Sequence, residues 1–292
     1  MNCIINFTPT GMIPTKKMTP SVPVSIQEII EEVLAASEIG ITMVHLHARD
    51  EQSGKPTYKA EVYGKIIGGI RKFRKDLVIV VSLSGRKFSE FEKRTEVLAL
   101  DGEVKPDMGS LTLSSFNFNE QVSLNSPEVI QTMAEEMKQR GILSELEVFD
   151  IGMINYAKYL ERKRLLESPH YFNLIFGNIT CAQSDLLHVG VMIRDLPPHS
   201  LWSLGGLGDS QLPINSIAIA MGGGVRVGLE DNIWFDLTRN KLARNSDLIR
   251  RIHRIAEENE RSIMTPAELR VLLNLEPGHG HYGRNFSDHY TE

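Results

Sequence analysis

The chain has 292 residues, 41% of them hydrophobic and 24% charged, which excludes a disordered polypeptide and supplies apolar side chains for a large core. A formal charge of −5 spread along the chain gives no reason to expect nucleic acid or an anionic membrane surface as partner, and points to a small molecule instead. Cys3 and Cys181 form no CxxC pair, and there is neither a basic leader nor an apolar run near the roughly 20 residues of a membrane span, so the expectation is a protein of the reducing cytoplasm.

Residues 3–8 (CIINFT) read as a short buried strand. A Pro-punctuated loop leads to Ser25, the expected N-cap of a helix that Gly40 stops. ITMVHLH is the second strand, ending at His47; a helix near 57–73 precedes the third strand, 77–82. A helix near 88–100, a strand at 108–113 and a helix near 127–140 continue the alternation. Strands five to eight fall at 145–150, 171–177, 201–206 and 224–228, with a helix in every gap. Parallel strands need crossover helices and closure removes both sheet edges, so the pattern predicts a (β/α)₈ TIM barrel, one domain over residues 1–275. An open doubly wound sheet is the alternative. Residues 276–292, polar and without helical period, read as a C-terminal tail in which His279, His281 and His289 are solvated.

Active sites of such barrels lie at the C-terminal ends of the strands. Here those ends carry His45 and His47, Ser82, Ser110 and Thr112, Glu145 and Glu147, and Arg226 running into Glu230 and Asp231. Two histidines two apart on a strand share one face, close enough to hold one ion, and a carboxylate such as Glu230 completes a catalytic zinc set with a position left open. Burying both without a ligand or polar partners would be expensive. Glu145 and Glu147 also share a face; each is open to a salt-bridge or a functional role, and Glu147 is the better catalytic candidate. GGLGDS at 205–210 lacks a following GK[ST] and reads as a turn; Met43, Met108, Met153 and Met221 read as core filling.

The stretches TPTG at 8–11, PVSIQEI at 23–29, GITMVHLHARDEQSGKP at 40–56, KPDMGSLTLSSFNF at 105–118, ELEVFD at 145–150, GGGVRVGLEDN at 222–232 and TPAELR at 265–270 resemble the β-keto acid cleavage enzymes, zinc barrels that include 3-keto-5-aminohexanoate cleavage enzyme. The resemblance implies zinc, or another divalent ion, on His45, His47 and Glu230. It implies catalytic roles for Ser82, Glu147, Arg226 and Asp231, and substrate contacts from Thr10, Ile13, Ser110 and Thr112. The implied reaction is a Claisen-type exchange: a β-keto acid and acetyl-CoA give acetoacetate and a new acyl-CoA, with Asp231 as base and Arg226 orienting anionic groups. Homo-oligomers, commonly tetramers, are implied as well.

Four departures accompany the resemblance. Ile13 stands where the amino-substrate member has glutamate, so a neutral or apolar substrate side chain is expected rather than 3-keto-5-aminohexanoate. Asp209 replaces a common arginine and Gly224 a frequent histidine. The stretch 83–94 also differs, leaving Arg86 and Lys87 as contacts for a substrate carboxylate or a CoA phosphate, or as solvated surface. Two other classes stand beside this reading: a metal-dependent hydrolase of amidohydrolase type, in which HxH closes the first strand rather than the second, and a non-catalytic ligand-binding barrel.

Overall fold

The structure, a computed structural model, describes residues 1–285; His289 lies outside them. Eight parallel strands close a barrel: β1 (Ile5–Phe7), β2 (Met43–Leu46), β3 (Val78–Val81), β4 (Met108–Thr112), β5 (Leu143–Val148), β6 (Tyr171–Phe176), β7 (Leu201–Gly206) and β8 (Gly224–Val227). Each neighbours its successor, and β1 joins β8 through Asn6 opposite Arg226. All eight fall where the alternation predicts them, and closure rules out the open sheet.

Helices cover the outside. The first, α1 (Ile26–Ile39), opens on a capping box between Ser25 and Glu28 and stops at Gly40, whose φ of 114° suits a residue without a Cβ. After it come α2 (Ala60–Arg71), α3 (Phe91–Thr95), α4 (Pro127–Gln139), α5 (Ile151–Arg162), α6 (Leu186–Asp195), α7 (Gln211–Ala220), α8 (Asn245–Glu258) and α9 (Pro266–Leu273). The helix expected near 88–100 is only α3 followed by a 3₁₀ turn at Glu96–Ala99, because the segment must then fold back through Leu100 in an extended conformation. Two small antiparallel ribbons, Ala48–Arg49 with Pro56–Thr57 and Phe116–Asn117 with Val122–Ser123, decorate the C-terminal end and were not expected.

The N-terminal ends of the strands are sealed. Ile4, Met43, Val78, Met108, Leu143 and Tyr171 pack with Leu269 and Leu273 of α9, which plugs that end. Below them Asp107, fully buried, accepts from Arg71 (3.2 Å), from both Nη atoms of Arg270 (2.8 and 3.0 Å) and from the Gly283 amide (3.2 Å). The Tyr282 ring lies 3.2 Å from the Arg71 guanidinium, and Arg284 bonds the carbonyls of Leu273, Glu167 and Pro169. Residues 276–285, the described part of the C-terminal tail, are thus fastened to the barrel floor. His279 and His281 are exposed, as expected. Of the four methionines expected in the core, Met43, Met108 and Met153 are buried, whereas Met221 at the end of α7 is exposed. Among the described residues no helix is long and apolar enough to cross a membrane.

Candidate active site

With one end plugged, polar side chains gather at the other. Alternation along β1 turns Asn6 and Thr8 inward, β2 contributes His45 with His47 just beyond it, β5 contributes Glu145 and Glu147, and β8 contributes Arg226 before the turn bearing Glu230 and Asp231. The ligating atoms of His45, His47 and Glu230 lie within 4.8 Å of one another, and those of His45, Glu145 and Glu147 do the same. The His45 and His47 rings are 5.2 Å apart.

Glu145 reaches from the barrel interior to His45 Nδ1 at 2.6 Å, both side chains being buried. Its other oxygen accepts from Asn6 Nδ2 (2.6 Å) and Asn173 Nδ2 (3.3 Å), and Asn6 also bonds Tyr171, whose hydroxyl donates to Ser203. Burial pushes the His45 imidazole down, but the Glu145 carboxylate outweighs it and raises the pKa to about 9. At His47 burial prevails and the pKa falls, although Glu230 lies 3.2 Å from Nε2. The neutral imidazole favoured there is the form that ligates metals.

Arg226 is the electrostatic hub. Nε donates to Asp231 at 2.9 Å, Nη2 to Glu230 at 2.7 Å, and Nη1 stands 3.6 Å from Glu147. Thr112 donates to Glu147 (2.8 Å) and Thr8 to Asp231 (3.3 Å). Burial raises the Glu147 and Asp231 carboxyls despite Arg226. For Glu230 burial acts the same way, but Arg226 and His47 overcome it and hold the group far below the usual carboxylate range. Among the described residues, the buried atoms Arg226 Nη1 and Glu230 Oε2 have no hydrogen-bond partner, nor do Asn6 Oδ1 and Asn173 Oδ1 deeper in the network.

The cleft above is lined by His47, Ser82, Thr112, Glu147, Arg226 and Asp231, and by Ile13, Met12 and the rings of Phe116, Phe118 and Phe149. Ser110 and Thr10 stand apart from that wall. Ser110 Oγ accepts from the Leu83 amide, and Thr10 Oγ1 from Arg49 Nε. Arg49, buried, also bonds the carbonyls of Gly11, Pro14 and Gly54, so it clamps the loop that holds Ile13 over the cleft. Gly11 is required there, since a Cβ would fall 2.3 Å from Glu230 Cγ.

The substituted positions lie off the centre. Asp209 pairs with Arg239 (2.8 Å) on the surface, and Gly224 packs against Ser203 and Ile4 below Arg226. In GGLGDS, Gly205 and Gly206 end β7 and Gly208–Ser210 form a 3₁₀ turn into α7, so the stretch serves as the expected turn between strand and helix. Sequence reasoning overlooked Asn6, Thr8, Asn173 and the aromatic wall. The polar Asn6 and Thr8, two apart on a strand whose partners face the core, were the available signal.

The family model for the beta-keto acid cleavage enzyme matches residues 2–275. The chain is 34% identical over 275 residues to the 3-keto-5-aminohexanoate cleavage enzyme of Fusobacterium nucleatum, covering 93% of this chain and 97% of that one. It is 33% identical to the 3-oxoadipate:acetyl-CoA acetyltransferase of Cupriavidus necator, covering 94% and 95%. Among solved structures, the apo structure of ObcA shares the fold with a TM-score of 0.75 at 21% identity, over 88% of this chain and 66% of that one. A match of this extent displaces both the amidohydrolase-type reading and the non-catalytic barrel. The chain belongs to the β-keto acid cleavage enzyme family and is an enzyme of that reaction type.

Proposed function

We propose that this enzyme converts a β-keto acid and acetyl-CoA into acetoacetate and a new acyl-CoA, with Zn²⁺ on His45, His47 and Glu230. The observation that carries this is an unsatisfied buried oxygen, Glu230 Oε2, on a carboxylate that clusters with His45 and His47, together with the unsatisfied Nη1 of its ion-pair partner Arg226. The donor set fits a divalent ion, since two imidazoles and one carboxylate leave coordination open, and Glu145 on His45 Nδ1 leaves Nε2 for the ion. Such an ion, when bound, supplies Lewis acidity that makes the carbon between a keto and a carboxylate group easier to deprotonate.

The chain's own residues then do the following. Asp231, raised by burial and steadied by Arg226 and Thr8, accepts the proton from that carbon. The carbanion attacks the acetyl thioester and expels the CoA thiolate, which adds to the original keto carbon. Breaking the adjacent carbon–carbon bond yields the acyl-CoA and the acetoacetate enolate, and Asp231 returns its proton. Arg226 Nη1 is the free donor for the oxygens that gain charge, held from the far side by Glu147 and Thr112. Ser82 offers a hydroxyl on the same wall.

Relatives named as acetyl-CoA transferases of 3-oxoadipate and of 3,5-dioxohexanoate support acetyl-CoA as cosubstrate. Ile13 at the position of the amino-binding glutamate argues against 3-keto-5-aminohexanoate. The test is acetoacetate release from zinc-loaded protein given acetyl-CoA and a panel of β-keto acids, before and after chelation. Release that needs both acetyl-CoA and the ion is expected; release without acetyl-CoA, or none with any acid, refutes the reading.

A further inference from the structure

Two guanidinium groups face the cleft in opposite states. Arg226 is enclosed by Asp231, Glu230 and Glu147, so each of those carboxylates is already engaged by a cation. Arg86, on the loop after β3, lines the same cleft, and among the described residues its guanidinium makes neither a hydrogen bond nor an ion pair. Its Nε is buried without an acceptor, and the guanidinium lies over the face of Phe118, 3.7 Å from the ring centre. Leaving a half-buried cation with its forked donors unused is unfavourable unless an anion visits.

We propose that Arg86 is the specificity-determining residue of this cleft and receives a second carboxylate at the far end of the substrate, making the preferred β-keto acid a dicarboxylate. The proposal rests on the keto acid reading of the site, and it replaces the neutral or apolar side chain expected from Ile13 with an anionic one. With the reacting keto and carboxylate groups at His47, Glu230 and Arg226, the remainder of the acid extends along the Phe116 and Phe149 rings toward Arg86. The rings suit a short methylene chain, and the hydroxyls of Ser84 and Ser123 on the same cleft add donors for a carboxylate. A planar carboxylate matches the fork bidentately while Phe118 holds the guanidinium flat. The phosphates of CoA are separated from its thioester by the whole pantetheine arm, whereas Arg86 shares one small cleft with His47.

The test compares 3-oxoadipate with 3-oxohexanoate, six-carbon acids that differ by one terminal carboxylate, on zinc-loaded wild type, Arg86→Gln and Arg86→Lys. Acetoacetate release with acetyl-CoA and calorimetric binding of each acid are both measured. The wild type is expected to favour the diacid in kcat/KM, and Arg86→Gln to reduce the diacid-to-monoacid ratio by about tenfold or more, mainly through KM, with Arg86→Lys restoring part of it. A ratio unchanged in Arg86→Gln overturns the assignment. So does a rise in the acetyl-CoA KM that is the same with both acids, which would give the guanidinium to a CoA phosphate. Diacid binding that depends on Arg86, with no acetoacetate from any acid, would support Arg86 while refuting the reaction.

Discussion

Replacing Glu145 by glutamine changes one atom in a buried network, and its effect can be worked through bond by bond. Glu145 Oε1 already accepts from two amide donors, Asn6 Nδ2 and Asn173 Nδ2. A glutamine must keep its oxygen at that end, because an NH₂ there would face two other NH₂ groups. Its own NH₂ then turns toward His45 Nδ1, which must accept rather than donate. The imidazole proton moves to Nε2, the nitrogen that the proposed ion would need, and the ligand is blocked in its most stable tautomer. Losing such an outer partner typically weakens metal affinity about 10–100-fold, or ~1.4–2.8 kcal/mol. Competition titration of Glu145→Gln against a chromophoric chelator measures the change, with a thermal melt to separate it from unfolding. Unaltered zinc affinity, with or without a lower melting temperature, would refute the account and leave Glu145 a structural residue.

Gly11→Ala brings a Cβ against Glu230 Cγ and is expected to lower kcat/KM about 100-fold while the melting temperature hardly moves; normal turnover would show that Glu230 can yield. Asp107→Ala strips the counter-charge from Arg71 and Arg270 and is expected to destabilise by about 3–5 kcal/mol in urea titration, with turnover per folded molecule unchanged at the far end of the barrel; a loss below about 1 kcal/mol contradicts it. At Glu28 slight burial works upward, but the Lys16 bond and the Val24 and Ser25 amides lower the carboxyl from 4.5 to about 2. Its contribution is therefore complete above pH 4.5 and lost as the pH falls toward 2. Because the pair is nearly half exposed the effect is small and weakened by salt; Glu28→Gln should flatten the acid slope of the urea midpoint, and an identical slope in both proteins would contradict the assignment.

The strand order was legible because each buried parallel strand is a short apolar run between helical periods. His45 and His47 were legible because two-residue spacing fixes a common face. Glu145 was ambiguous for a physical reason: alternation says that it points inward, but only closure of the barrel brings residue 145 to residue 45. Thr10 and Ser110 are polar and adjacent to the site, yet their hydroxyls are claimed by Arg49 and by the Leu83 amide, partners no local pattern reveals. Arg86 was left between solvent and ligand in the sequence; a guanidinium that lines the cleft with a buried Nε lacking an acceptor among the described residues distinguishes it. The docking of the C-terminal stretch was not legible, because Tyr282 and Arg284 dock singly, without the periodicity that announces a helix or strand.

The Asp107 cluster also bears on when the molecule can become complete. Asp107 draws its partners from positions 36 residues earlier and 163 and 176 residues later in the chain. During synthesis the carboxylate and Arg71 therefore meet first, while Arg270 and the Gly283 amide are still to be made. A nascent chain halted before α9 has its barrel floor open, with Met43, Val78 and Met108 uncovered and no Leu269 or Leu273 to seal them. The final cooperative step belongs to the finished polypeptide, and a ribosome-bound intermediate presents to chaperones the pole opposite the chemistry.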